Sequence, residues 1–152
     1  MKLSDILKKN AIIRSLESHD KKGVLTEFSE LAHQLNDTLS SEQVYSILMN
    51  REQLGSTAVG HGVAIPHGKI SGLDNIVALF GRSERGVDFQ AHDEKTTHLF
   101  FVLLAPETAI GNHLQALSRL SRLLKDAKFR DRLIQCNGEE IFQMLIDEDD
   151  KI

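Results

Sequence analysis

The sequence contains no tryptophan, one tyrosine and seven phenylalanines, so aliphatic side chains must fill most of the hydrophobic core. Its two prolines are too few for a proline-rich linker or tail. Cys136 is the only cysteine, which excludes a disulfide within the chain and favours a reducing compartment. Because Cys136 lies in an apolar-periodic stretch, we expect a small buried side chain rather than a nucleophile.

Long apolar runs are also missing. The longest, Leu99–Ala105, is far shorter than the roughly 20 residues that a membrane-spanning helix needs, and the N-terminus lacks the apolar stretch of a signal peptide. A formal net charge of −4 argues against nucleic acid as the main partner. These features predict a soluble cytoplasmic protein without direct membrane insertion, and its 152 residues suit one domain spanning 1–152.

Apolar residues repeat at helical spacing towards both ends of the chain. Ser40 and Asn112 are placed to cap two of the predicted helices, and the acidic segment 147–150 is predicted to be a solvated tail. The predicted helices cover 3–9, 21–35, 41–53, 114–124, 128–135 and 139–147.

Strand signals are interleaved with the helices. The run 99–104 is continuously apolar, which is typical of a strand covered on both faces. The predicted strands cover 11–16, 76–81, 86–89 and 98–105, with short pieces between the glycines of 54–69. This order predicts an α/β fold: a single domain with a mixed sheet flanked by helices on both faces.

His67 is the first candidate functional residue because of its neighbours. Pro66 stiffens the approach to the histidine, and Gly68 removes a Cβ where a second molecule would come close. A rigidly delivered imidazole beside an open backbone suits a nucleophile that meets another protein. A simple turn histidine is an equally good interpretation of the three residues by themselves, because Pro-His-Gly is common turn composition.

Two further positions suit anion binding. Arg51 is a permanently charged donor of paired N–H groups, and the hydroxyls of Ser56 and Thr57 beside Gly55 would complete a cradle. His113 lies in the first turn of a predicted helix, where free N–H donors and partial positive charge favour a phosphoryl group. A solvated Arg51, turn-capping hydroxyls and a surface histidine are the competing interpretations.

Other chemistries fit less well. The histidine pairs at 61 and 67 and at 92 and 98 match no familiar zinc spacing. The glycines form neither a Walker loop nor a dinucleotide-binding fingerprint, so we expect no bound nucleotide.

The segment Asn50–Lys69, with Gly-Ser-Thr at 55–57 and Ile-Pro-His-Gly at 65–68, resembles the active-site signature of a known family. This is the fructose/mannitol/nitrogen-type enzyme IIA family of the phosphoenolpyruvate:sugar phosphotransferase system. The blocks 86–106 and 113–124 are similar to the region before the family's second histidine and to the helix that carries it. The likeness extends from Leu3 to about Leu145.

The resemblance implies the mannitol/nitrogen-type enzyme IIA fold and a role as a phosphotransferase component. His67 would accept a phosphoryl group on a ring nitrogen from the phosphohistidine of HPr or its nitrogen-branch counterpart, as a covalent intermediate without a separate cofactor. Arg51 would neutralise phosphate charge and His113 would hydrogen-bond the phosphoryl oxygens. Ser56 and Thr57 match the signature as weaker candidates for phosphoryl binding.

Three functions stay open at this point. In a nitrogen-type regulator, the phosphorylation state would change binding to a target protein, and the lack of an attached IIB or IIC domain favours this role. In a fructose- or mannitol-class transport component, the phosphoryl group would pass to a IIB domain. The third alternative is a non-catalytic protein-binding domain with inert histidines.

The sequence departs from the family pattern in two places. His61 stands where the signature commonly has asparagine, and a third imidazole near His67 would make the charge of the site depend on pH. The stretch 93–98 is more polar than expected, which would alter contacts with partners. Neither departure removes a residue that the chemistry needs.

Overall fold

The computed structural model describes residues 1–152, which form a six-stranded mixed sheet and six α-helices. A single 3₁₀ turn, Gly138–Glu140, precedes the last helix. The helices are α1 Leu3–Ile6, α2 Lys21–Leu35, α3 Ser41–Gln53, α4 Gly111–Leu123, α5 Ala127–Gln135 and α6 Ile141–Asp149. The strands are β1 Leu7–Ile13, β2 Ala58–Gly60, β3 Val63–Ala64, β4 His67–Ile70, β5 Val77–Val87 and β6 Thr97–Pro106. No helix is both long and apolar enough to span a membrane.

Strand β6 is the centre of the sheet. It pairs antiparallel with β5 on one side, and on the other side it pairs parallel with β3 and then with β4. Strand β1 lies parallel to the outer side of β5, and β2 pairs antiparallel with β3. Every residue of β6 from Leu99 to Pro106 is buried, which confirms the prediction of a strand covered on both faces.

Helices cover both faces of this sheet, as predicted. A Cβ on Gly81 of β5 would lie 2.6 Å from the ring of Phe28 in α2. The next residue, Arg82, donates a hydrogen bond to the carbonyl oxygen of Leu133 in α5. Because neighbouring side chains of a strand point to opposite faces, α2 and α5 lie on opposite sides of the sheet.

The first and last elements differ from the sequence prediction. Helix α1 ends at Ile6 and β1 begins at Leu7, four residues earlier than predicted, because Leu7 already pairs with Ala78 of β5. An irregularity in the register between Leu7 and Ile12 interrupts the alternation of inward- and outward-facing side chains that would have indicated this strand in the sequence. Strand β5 continues through Val87 and joins two predicted strand pieces into one.

Two predicted features at the C-terminal half are wrong. Helix α4 begins at Gly111, with Ile110 at its N-cap position and no capping side chain, so Asn112 is inside the helix. The acidic tail is not simply solvated, because Asp149 is buried and accepts hydrogen bonds from the Leu3 N–H and from Arg119. Cys136 is half-buried, with its Sγ atom beside Arg82.

Candidate functional site

His67 is the first residue of β4, and the sheet holds it firmly. It pairs with Leu103 of the buried strand β6. The N–H of Leu103 also donates a hydrogen bond to the carbonyl oxygen of Pro66 at 3.0 Å. Gly68 has a different role from the one that the sequence suggested: a Cβ there would collide with Ile47 of α3. The glycine therefore allows α3 to lie directly against β4, which brings the end of α3 towards His67.

One hydrogen bond sets the chemistry of the His67 ring. Its Nδ1 lies 2.7 Å from the carbonyl oxygen of Ile65. A carbonyl oxygen only accepts, so Nδ1 carries the proton and Nε2 presents a lone pair. Burial lowers the pKa of His67 below its usual value, and the charge of Arg51 acts in the same direction, partly offset by the Ile65 carbonyl and by Glu52. The imidazole is therefore neutral at pH 7, as a nucleophile requires.

The second histidine lies beside the first. His113 is in the first turn of α4, its ring centroid is 5.6 Å from that of His67, and the two rings meet edge to face at 67°. Its Nε2 is buried and has no hydrogen-bond partner. Burial lowers the pKa of His113, with further contributions from His67 and Lys69. A buried polar atom without a partner is costly, so this nitrogen is suited to an oxygen that arrives with a ligand.

Arg51 lies in the last turn of α3 and is half-buried. Its Nη1 donates to the Gly55 carbonyl oxygen at 2.9 Å, which folds the side chain over the turn that follows the helix. Its charge acts on the pKa of His67, so the guanidinium lies within electrostatic reach of the ring. The structure thus brings three of the predicted site residues together.

The two hydroxyls of the same loop are engaged inside the protein. Ser56 Oγ donates to the Phe89 carbonyl oxygen at 2.8 Å and accepts the Ala58 N–H at 3.1 Å. Thr57 is buried, and its hydroxyl donates to the Glu52 carboxylate. Direct binding of a phosphoryl group by Ser56 or Thr57 stays a prediction.

Glu52 and Lys21 belong to this region, although the sequence analysis did not single them out. The Glu52 carboxylate is buried, accepts the Thr57 N–H at 3.0 Å and pairs with Lys21 Nζ at 3.0 Å. The available signal was its position: Val44, Leu48 and Glu52 recur at four-residue spacing, so a charge lies on the buried face of α3.

His61 lies in the turn between β2 and β3. Its backbone has a φ of +57° and its N–H donates to Asp93 Oδ2 at 3.0 Å. This left-handed conformation favours asparagine and histidine over most other residues, which accounts for either residue at this position. The charged groups that shift the pKa of His67 are Arg51 and Glu52, and His61 is not among them.

Large apolar side chains are exposed next to the site residues in the chain. Leu54 follows α3 and is 84% exposed, whereas Ile110 and Leu114 flank His113 and are 72% and 66% exposed. These three side chains, here called the apolar rim, are unusual for the surface of this protein, since most of its leucines and isoleucines are buried. Large apolar side chains left exposed in this way are typical of a protein-docking surface.

Comparisons with known proteins connect this geometry to one family. The family model described as "Phosphoenolpyruvate-dependent sugar phosphotransferase system, EIIA 2" matches residues 5–149. A nitrogen regulatory protein of Bradyrhizobium diazoefficiens is 42% identical over 133 residues, which cover 88% of this chain and 86% of the relative. A fructose-specific EIIABC component of Bacillus subtilis is 37% identical over 154 residues, covering 99% of this chain and 24% of that protein.

A solved structure agrees with both the fold and the family. The crystal structure of the nitrogen regulatory protein IIA-Ntr from Neisseria meningitidis matches with a TM-score of 0.87 and 36% sequence identity. The match covers 94% of this chain and 98% of the other.

Proposed function

This chain belongs to the phosphoenolpyruvate-dependent sugar phosphotransferase system EIIA 2 family, and on that premise we propose that its phosphoryl group is carried on Nε2 of His67. A phosphotransferase-system component of this family acts as a phosphoryl carrier. The observation that supports His67 Nε2 is the hydrogen bond from Nδ1 to Ile65, which leaves the Nε2 lone pair free on a ring whose centroid lies 5.6 Å from that of His113.

The proposed step moves one phosphoryl group between two nitrogens. The Nε2 lone pair of neutral His67 attacks phosphorus, the phosphorus–nitrogen bond of the donor phosphohistidine breaks, and the donor imidazole keeps that electron pair. The proton of His67 stays on Nδ1, which continues to donate a hydrogen bond to the Ile65 carbonyl oxygen. Such transfer depends mainly on alignment and charge stabilisation. The phosphohistidine is the covalent intermediate, and the proposed step uses no metal or other cofactor.

Arg51 and His113 supply the charge stabilisation in this proposal. The guanidinium faces the oxygens with positive charge, and His113 donates from Nε2 to one of them, which gives that buried atom its missing partner. Ser56 and Thr57 would contribute through the shape of their loop, since both hydroxyl protons are donated within the protein.

The proposed phosphoryl donor is HPr or its nitrogen-branch counterpart. The apolar rim would form the contact surface, with Arg51 and Lys69 adding positive charge near the transferred phosphate. IIA proteins of the phosphotransferase system pass the phosphoryl group on to a IIB domain. In this chain the recipient is either such a domain or a regulatory target.

A nitrogen-type regulatory role is the function best supported by the comparisons. The relative from Bradyrhizobium and the structure from Neisseria are both described as nitrogen regulatory proteins, and this chain matches most of the length of each. Sugar transport is the second candidate, because the fructose-specific protein of Bacillus matches almost the whole of this chain.

Phosphorylation with purified components tests the proposal. Phosphoenolpyruvate, enzyme I and HPr are expected to label the wild-type protein at one acid-labile histidine, and His67→Ala is expected to remain unlabelled. His61→Asn serves as the control, because it changes another histidine in a turn that tolerates asparagine. Labelled His67→Ala protein would overturn the assignment, and an unlabelled wild type would favour a plain binding domain.

A further inference from the structure

A buried ion pair lies behind the proposed site and has no part in the transfer described above. Glu52 at the end of α3 and Lys21 at the start of α2 are joined at 3.0 Å, with 1% and 14% of their side chains exposed. We propose that Lys21 and Glu52 are positioning residues for phosphoryl transfer, which hold the ring of His67 in place through Thr57 and Ile65. This inference rests on the proposed function.

The connection can be followed bond by bond. The Glu52 carboxylate accepts the N–H of Thr57 at 3.0 Å. The Thr57 carbonyl oxygen accepts the N–H of Ile65 at 3.0 Å. The Ile65 carbonyl oxygen then accepts the Nδ1 proton of His67 at 2.7 Å. The position of Glu52 therefore sets the position of the acceptor that fixes the orientation and tautomer of the reactive ring.

Lys21 fixes Glu52 and one further segment. Its ammonium group lies 4.7 Å from the centroid of the Phe89 ring and donates to Gln90 Oε1 at 3.1 Å. The carbonyl oxygen of Phe89 accepts the hydroxyl of Ser56, one residue before Thr57. Lys21 thus holds the loop that contains Ser56 and Thr57 from both sides, through Glu52 and through Phe89.

Glu52 also reaches the loop next to Arg51. Its own carbonyl oxygen accepts the N–H of Gly55 at 3.1 Å, and the Gly55 carbonyl oxygen accepts Arg51 Nη1. A shift of Glu52 would therefore move the anchor of the guanidinium as well as that of the imidazole. The negative charge of Glu52 also opposes the effect of Arg51 on the pKa of His67.

Stability alone is a weak reason for such a pair. Burying two opposite charges costs about as much desolvation energy as their attraction returns, and apolar residues of similar volume are often as good or better. Precise positioning, by contrast, is sensitive: a displacement of about 1 Å can slow a reaction by on the order of 10²-fold. Apart from the hydrogen bond from Lys21 to Gln90, the side-chain contacts of Lys21 and Glu52 lead to the loop that contains Ser56 and Thr57, which fits positioning.

The test compares Glu52→Gln with the double variant Lys21→Met/Glu52→Gln, which leaves no unpaired buried charge. Lys21→Arg is the conservative rescue, and Lys22→Met is the matched control on the exposed side of the same helix. Transfer from phosphorylated HPr gives kcat and KM, and phosphoramidate, which phosphorylates histidine without a protein partner, gives the reactivity of His67 itself. Nitrogen-15 NMR of the unphosphorylated protein reports the tautomer of His67.

We expect both variants to lower kcat and the phosphoramidate rate by about tenfold or more, with KM for phosphorylated HPr unchanged, because the ring is displaced while the docking surface is intact. The Nδ1–H form of His67 should lose population in both, whereas Lys21→Arg and Lys22→Met should match the wild type. Wild-type rates and ring shifts in the double variant, with only a lower melting temperature, would overturn the proposal. If His67 were not the phosphorylated residue, the NMR comparison would still test the positioning by itself.

Discussion

At His67, a single hydrogen bond decides which ring nitrogen presents a free lone pair. The Ile65 carbonyl holds the Nδ1 proton, and burial keeps the whole ring neutral. His113 shows the complementary arrangement, with a buried Nε2 that lacks a partner until an oxygen arrives. In the proposed step the two histidines therefore act differently: His67 offers a lone pair and His113 offers a proton.

The lowered pKa of His67 leads to a prediction about pH. A histidine with the ordinary pKa of about 6.5 would lose half of its reactive neutral form near that pH. Because the pKa of His67 is lowered, its phosphorylation rate should fall with acidity at a midpoint below the ordinary histidine value. The measurement is the phosphoramidate rate from pH 5 to 8, together with an NMR titration of the ring. A midpoint at or above the ordinary value would contradict the burial argument.

Removing the charge-stabilising groups should slow transfer without unfolding the protein. We predict that Arg51→Ala and His113→Ala each lower the transfer rate by about 10²-fold, the usual effect of deleting one preorganised donor. Neither should greatly reduce stability, because Arg51 is half-buried and the deleted His113 Nε2 has no partner. Single-turnover transfer and thermal unfolding measure the two effects separately. Arg51→Lys should remain well below the wild type, since a lysine cannot reproduce the paired N–H groups.

At the scale of elements, the approach of α3 to β4 builds the site. His67 begins β4 and Arg51 and Glu52 end α3, so the distance between these two elements fixes the distance between their functional groups. Gly68 permits that contact, because any Cβ at this position would collide with Ile47.

Gly68→Ala should therefore be destabilising. Overpacking a close contact typically costs about 1–3 kcal/mol, which chemical denaturation can measure. Ile47→Ala removes the colliding methyl group, so the double variant Gly68→Ala/Ile47→Ala should be less destabilised than the sum of the two single variants. Additive effects would show that the collision is not what requires glycine here.

Some elements were readable from the sequence and others were not, for physical reasons. Helices α2 and α3 have apolar residues at helical spacing and capping side chains at Asp20 and Ser40, so their bounds follow from local sequence. Strand β1 was misplaced because its partner β5 and its irregular register are set by tertiary pairing. In the candidate site, the family resemblance pointed to His67, Arg51 and His113, but the link from the Glu52 carboxylate through the backbone of Thr57 to Ile65 depends on tertiary hydrogen bonds that no sequence pattern records.

At the scale of the whole molecule, the two ends of the chain meet on the helix that carries His113. The buried carboxylate of Asp149 accepts the N–H of Leu3 at 2.8 Å and pairs with Arg119 of α4 at 2.6 Å. The sequence alone suggested a free acidic tail here, because four consecutive charges normally remain solvated. Instead, the Asp149 carboxylate joins Leu3, near the start of the chain, to Arg119 of α4.

Asp149→Ala should consequently lower the free energy of unfolding by about 3 kcal/mol or more, because it leaves the Leu3 N–H and Arg119 without their partner. Asp150→Ala is the matched control, since that neighbouring carboxylate is largely exposed. Urea denaturation of both variants measures the difference. Equal stability of the two would contradict a structural role for Asp149.

The central claim is that His67 carries the phosphoryl group on Nε2, and phosphorus and nitrogen-15 NMR of the freshly phosphorylated protein tests it most directly. The predicted result is one phosphohistidine, with phosphorus coupled to Nε2 of His67 and the Nδ1 proton still present. Phosphorus on Nδ1 of His67, or on any of the other six histidines, would contradict the account.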